Sequence, residues 1–446
     1  MSTTKELIMH LHQIRFDDLK IEEIQSAKVA LMHYFYCMSL GKDSEAYNKA
    51  KHLNELIADE MRTFPVFFQE EQASFFDSIF YNSLIAQTIL HEDIHPPSNS
   101  HPGIVVIPAS IITAYNKQSS GKNLIEAIIS GYEAMSKVGL LTQSEQFNNR
   151  GFRPTAILGI LGSVTAVSKL LNLNSNQLEN AFSLAANMAS GLNEWATEGT
   201  EDLYVQNGLA AKNGSFAAFL ASKNVTSSQN ILEAPKGYIN AFGLNKDTTL
   251  LESNTLQINS VKYKLAPTCA LIQSAATLAR EVYKDDLPIS DIKEIIIYTH
   301  HLGKNYPGCD YKGPFKSVLQ ARMSNQFLFA STLITGEINN RTFLNFDDPN
   351  INELSQKISV QIDDHINRQF PEKQAMKVEI TFTNDSKKVY SVNDSVYLSE
   401  EQVINNFKSH FSNVLGKENA EKFYEKINRL EHESNLDEFI NFLKGL

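Results

Sequence analysis

HEDIHPPSNSHPGIVVIPASIITAY, residues 91–115, admits two readings that lead to different folds. Its first five residues are a literal H-E-x-x-H, and His101 follows at the spacing of the longer metzincin signature. That reading makes a zinc protease: His91 and His95 on one helical face as ligands, Glu92 as general base, His101 brought round by a tight turn. Two features oppose it. Ser98 stands where the turn requires glycine, and Pro96 pushes His95 out of helical geometry by steric clash with the preceding residue. Paired imidazoles would then not be presented to one ion, and no metal site is expected. Taken from its other end, the stretch is a polar loop carrying Asp93, His95 and His101, closed by a Pro-Gly turn at Pro102 and Gly103 and followed by an apolar helix.

The surrounding chain supports the second reading. From Ile21 to Met38 apolar residues recur at helical spacing, and similar patterns cover 50–61, 71–90, 124–138, 156–171, 175–191 and 205–221. Two of these segments are rich in small residues (Gly159, Gly162, Ser163, Ala166; Gly208, Ala211, Gly214, Ala218), which lets neighbouring helices approach closely. The character then changes. Residues 256–263, 292–300, 358–363, 377–384 and 388–392 are short alternating or β-branched runs, with Asn384 and Asp385 marking a hairpin turn. Helical patterns at 270–282 and 319–336 lie between them, and charged helices return over 399–446. The expected fold is mainly α: an all-helical domain from residues 1–255 and 397–446, and a smaller α+β domain over 256–396.

Composition excludes several function classes. The 446 residues carry 40 basic and 51 acidic side chains, a net charge of −11, with no basic cluster interleaved with aromatics, so nucleic acid is not an expected partner. The longest apolar runs contain Pro108 or polar interruptions (Ser163, Thr165, Ser168, Lys169), against a membrane span. Cys37, Cys269 and Cys309 are far apart and odd in number, which fits free thiols and, with no signal-peptide pattern at the N-terminus, a cytoplasmic protein.

The segment 91–115 resembles the part of the MmgE/PrpD family in which an acidic pair and a histidine lead to a His-Pro-Gly element and an apolar helix containing Pro-Ala. The matching residues are Asp93, His95, His101, Pro102, Gly103, Pro108 and Ala109. Further matches come in order along the chain: GYEAMSKVG from Gly131, GFRPTAILGILGSVTAVSKLLNL from Gly151, NGLAAKNG from Asn207, YKLAPTCALIQSA from Tyr263 and QARMSNQFLFASTLITGEI from Gln320. The resemblance implies a homodimer whose protomer joins a large helical domain to a smaller α+β lid. It implies no cofactor, and an activity that moves a proton at carbon beside a carboxylate, as the dehydratases, decarboxylases and epimerases of the family do. Cationic groups then hold the acid and offset developing charge.

On this reading His101 transfers the proton, Asp93 fixes and charges a histidine, and Lys264 pairs with a carboxylate. The plainer alternatives are a helix-entry histidine bonded to backbone, a turn aspartate before Pro96 and a solvated lysine beside a strand. The chain also departs from the family pattern. Arg153 replaces the histidine of Gly-Phe-His-Pro and can hold a carboxylate but not shuttle protons. Leu203, Tyr204 and Gln206 replace cationic or titratable positions, and Gln273 replaces a later histidine.

With His95, Arg153, Tyr204, Gln206 and Gln273 as substrate-binding candidates, a tricarboxylate such as cis-aconitate or methylcitrate would be poorly balanced, because a buried unpaired carboxylate costs several kcal/mol. The expectation is a lyase or isomerase, dehydratase- or decarboxylase-like, acting on a less highly charged organic acid. An epimerase or cyclase in a specialised biosynthetic pathway, and a non-catalytic dimeric binding protein on the same fold, are the alternatives.

Overall fold

The computed structural model describes residues 2–51, 63–142, 144–252 and 255–445. The helix expected over 50–61 lies outside these beyond residue 51. The others form as α1 (Ile21–Gly41), α2 (Phe75–Gln87), α3 (Gly103–Asn116), α4 (Gly121–Gly139), α5 (Pro154–Leu170), α6 (Ser175–Asn187) and α7 (Asp202–Ser222). Local sequence starts them: Ser74, Ser120 and Asn174 cap α2, α4 and α6 through their side chains, and Pro154 takes the first position of α5. Pro108 sits inside α3 without ending it.

Helix α5 is the hub. Every residue of it except Lys169 is buried, and it packs against α3, α4, α6 and α7. The small residues make this possible. A Cβ on Gly162 would meet Val106 at 2.9 Å and the Gly131 carbonyl oxygen at 3.0 Å; one on Gly214 of α7 would meet Ser163 Oγ at 2.0 Å and the Ile160 carbonyl oxygen at 2.6 Å.

Strands β1 (Asp93–Ile94) and β2 (Lys262–Lys264) pair antiparallel, with Asp93 opposite Tyr263. The strand expected over 256–263 is therefore mostly absent: Gln257–Ser260 is a 3-10 turn. Its start is pinned by the Gln257 N–H donating to the buried Glu133 carboxylate of α4 at 2.6 Å, and only the next residues find a partner strand.

After α8 (Gln273–Lys284), strands β3 (Ile292–Thr299), β4 (Ile358–Ile362), β5 (Met376–Phe382) and β6 (Lys387–Val392) form one sheet in the order β4-β3-β5-β6. β3 and β4 are parallel, the other pairs antiparallel, and the hairpin turn carries Asp385 at φ 62°. The helix expected over 319–336 is two, α9 (Val318–Met323) and α10 (Asn325–Thr335). Extended Ser324 between them caps α10 through its side chain. β7 (Tyr397–Leu398) then closes the small sheet on the far side of β2.

Helices α11 (Glu400–Leu415), α12 (Lys417–Asn428) and α13 (Asp437–Lys444) return to α1, where the Phe35 ring meets Phe423 at 5.2 Å and Phe439 at 5.9 Å. No described helix is long and apolar enough to cross a membrane, and all three cysteines are free and buried.

Candidate active site

The site forms where α2, the small sheet and the start of α3 converge. Beyond Gln87 the chain reverses through Leu90, held at φ 51°. That conformation costs a bulky residue about 1–3 kcal/mol and persists only where its surroundings impose it. The reversal aims the Leu90 carbonyl at the Lys264 ammonium, 3.1 Å away. Lys264, the last residue of β2, also donates to Glu92 Oε1 at 2.7 Å, with both side chains almost fully buried. Burial is the largest single influence and would raise the Glu92 carboxyl; the Lys264 ammonium, His101 and the hydrogen bonds to Glu92 together outweigh it and bring the group down to about 2.

His101 stands at the mouth of α3, its side chain 13% exposed. Nδ1 lies 2.6 Å from the Asp93 carbonyl oxygen. A carbonyl only accepts, so Nδ1 carries the hydrogen and Nε2 keeps its lone pair, 3.5 Å from Glu92 Oε1. Burial, reinforced by Lys264, pushes the imidazole down to about 3 and keeps it neutral near pH 7. The plain reading of His101 as a helix-entry residue bonded to backbone is realised, and the same bond orients its free nitrogen.

The role expected of the Asp93 carboxylate is not the one the structure gives it. Oδ2 accepts from Tyr132 Oη at 2.7 Å and Oδ1 from the Gly103 N–H at 3.0 Å, so it caps α3 and faces away from the histidine. Successive side chains of an extended segment point to opposite sides, and here Glu92 takes the side of His101. Burial raises Asp93 to about 6.

Arg153, just before α5, is buried. It donates to the Leu203 carbonyl oxygen (3.0 Å), Asn207 Oδ1 (2.7 Å) and Gln87 Oε1 (3.1 Å), and its guanidinium lies 5.6 Å from the Trp195 ring centre. No carboxylate among the described residues pairs with it. Gln87 links it to the ion pair, its Nε2 lying 3.4 Å from Glu92 Oε1.

Glu92, His101, Arg153 and Lys264 line one cavity, whose remaining wall includes Gln87, Trp195, Cys269 and Tyr306. Besides Asp93, four residues singled out from sequence do not line it. His95 is buried between Ser98 Oγ (2.8 Å) and Gln257 Oε1 (3.2 Å). Gln273 staples the loop after β2, accepting from the Ala266 N–H and donating to the Ala266, Thr268 and Cys269 carbonyls. Gln206 reaches the Leu192 carbonyl and Asp202. Tyr204 is buried one residue beyond Leu203, and it is Leu203 that forms wall.

The protease geometry is absent too. Asp93–Ile94 is a strand, His91 Nε2 lies against the Lys264 carbonyl oxygen at 3.0 Å, and His91, His95 and His101 point to three different partners.

A model of the MmgE/PrpD N-terminal domain matches residues 5–251, and one of the C-terminal domain matches residues 266–432. The chain belongs to the MmgE/PrpD family. Over its full length it is 23% identical to cis-aconitate decarboxylase of Homo sapiens, covering 95% of that protein, and 22% identical to that of Mus musculus, covering 94%. It is 20% identical to cis-aconitate decarboxylase of Aspergillus terreus over 81% of this chain and 80% of that one.

Of the departures from the MmgE/PrpD pattern, Arg153 and Leu203 line the cavity together with His101 and Lys264, and Tyr204, Gln206 and Gln273 do not. Sequence reasoning passed over Glu92, which had meaning only within the protease motif, and Gln87, whose amide joins Arg153 to Glu92. It also passed over Trp195, the chain's single tryptophan.

Proposed function

We propose that this chain is a metal-independent lyase of dehydratase or decarboxylase type, acting on a small organic acid with fewer carboxylates than cis-aconitate. The carrying observation is the fixed tautomer of His101: a neutral imidazole whose Nε2 keeps its lone pair beside Glu92, in the wall of a cavity that also holds an ion-paired lysine and a carboxylate-free arginine. In this role Nε2 accepts a proton from carbon beside the substrate carboxylate, or returns one after decarboxylation. Arg153 holds the acid and offsets the charge that develops on it. The cis-aconitate decarboxylases to which the chain is similar support the reaction class.

The test monitors exchange of the C–H beside the carboxylate in D2O by NMR, over a panel of small acids. Exchange or turnover that is lost in His101→Gln supports the reading. Full activity in that variant overturns the role of His101, and no activity with any acid in the wild type overturns the reading in favour of a binding protein.

The assembly we infer is a homodimer formed through the outer face of α7. Val205, Leu209 and Phe216 are exposed there at helical spacing, and Phe216 joins a surface aromatic cluster through Phe76, 5.6 Å away. Such an apolar stripe is costly to leave in water.

A further inference from the structure

Two buried polar atoms at the cavity lack a hydrogen-bond partner among the described residues, and they are of opposite kind. Glu92 Oε2 is an acceptor and Trp195 Nε1 a donor. Each residue is nearly sealed, at 2% and 5% exposure, so each bears the penalty of an unmade hydrogen bond. Both residues line the cavity. The indole N–H belongs to the corner of Arg153, whose guanidinium already lies over that ring. Glu92 lines the cavity beside Lys264 and His101, which surround the other oxygen of the same carboxylate.

The charges lining the cavity complete the description. Lys264 and Glu92 cancel at 2.7 Å, the His101 imidazole is neutral, and Arg153 remains as the one uncompensated charge on the wall among the described residues. Behind the wall, buried Arg322 donates to the Ile89 and Pro267 carbonyls and to Asn340. A ligand with one negative charge is balanced there; a second or third carboxylate would be desolvated beside Glu92 with no cation left to meet it.

Resting on the reading of this cavity as an acid-binding site, we propose that its ligand is a monocarboxylate bearing a hydroxyl or amino group. The carboxylate is held by Arg153 and the Trp195 N–H, and the donor by Glu92 Oε2. Lys264 is then kept from the substrate by Glu92 and serves to hold that acceptor ionised.

Calorimetric titration of the full-length protein decides this with named probes: butyrate, its 2-, 3- and 4-hydroxy derivatives, succinate and cis-aconitate. At least one hydroxybutyrate is expected to bind about tenfold or more tighter than butyrate, the scale of one hydrogen bond to a charged group. Succinate and cis-aconitate are expected to bind more weakly than that hydroxybutyrate by at least a similar factor.

In Glu92→Gln the hydroxyl preference should vanish and succinate should gain about tenfold or more, because Lys264 is released to meet a second carboxylate. If that variant does not fold, the wild-type series alone decides. Succinate or cis-aconitate binding the wild type as tightly as the best hydroxybutyrate overturns the proposal. So does a hydroxyl preference that is absent from the wild type or survives Glu92→Gln. These failures leave the catalytic reading standing if His101-dependent exchange is seen, whereas binding of no acid at all overturns both.

Discussion

The ammonium of Lys264 and the carboxylate of Glu92 meet at 2.7 Å, with 1% and 2% of the side chains exposed. The net energy of such a pair is small beside the cost of removing one partner, since a buried charge is then left without a counter-charge. Lys264→Met is expected to destabilise the protein by about 3–5 kcal/mol, and Lys264→Met with Glu92→Met to recover most of that loss. Thermal midpoints of the two variants give the comparison. A double variant no more stable than the single one would show that the pairing is not what stabilises Lys264 there.

His101→Gln separates chemistry from structure, because a glutamine amide can still donate to the Asp93 carbonyl but has no basic nitrogen. Proton exchange or turnover is expected to fall by about 10²–10⁴. The thermal midpoint should stay close to the wild type. A large fall in the midpoint would show that the ring is mainly structural.

Acid should weaken the fold earlier than carboxylate protonation requires. Burial pushes His33 and His95 down to about 4, and His91 and His101 to about 3, from the ordinary 6.5. Between 6.5 and those values the unfolded chain binds protons that the folded chain does not, so stability falls as pH drops through that window. Glu92, brought from 4.5 to about 2, extends the loss at lower pH. Asp93, raised from 3.8 to about 6, has the opposite sign and is a single group against these. Circular dichroism melts across this range should show a falling midpoint; a flat or rising profile would contradict the burial of these rings.

Gly214→Ala improves helix propensity and is nonetheless expected to destabilise, by about 1–3 kcal/mol. The added carbon would lie 2.6 Å from the Ile160 carbonyl oxygen, a backbone atom that cannot rotate away, so α7 must lift off α5. Chemical denaturation measures the loss. Unchanged stability would mean that the two helices are not in such close contact.

Replacing Leu209 and Phe216 together by glutamate places charge on the outer face of α7, where both are exposed. Sedimentation velocity should shift from a two-chain to a one-chain species. A wild type that sediments as a single chain would refute the proposed dimer.

Much of the fold is legible because it rests on short-range signals. The helices of the first half obey apolar spacing, caps and small residues, and the hairpin at Asp385 obeys its turn residues. The misreadings share one cause. Residues 256–263 look like a strand, but a strand needs a partner, and the neighbouring β1 is only two residues long. The division of 319–336 at Ser324 likewise depends on what packs around it.

Residue order alone suffices for the helical architecture and the family, and it singles out His101, Lys264 and Arg153, which the folded chain brings to one cavity. Which groups share the cavity is settled only in the folded chain. Adjacent carboxylates at 92 and 93 cannot be told apart in a sequence, yet chain direction sends Glu92 to Lys264 and Asp93 to the N-terminus of α3. Gln273 and His95 stand out by position and chemical type, and hydrogen bonds to their own surroundings occupy them elsewhere. A polar side chain's role is set by the partners that desolvation forces upon it, and for Lys264 and Glu92 those partners lie 172 residues apart along the chain.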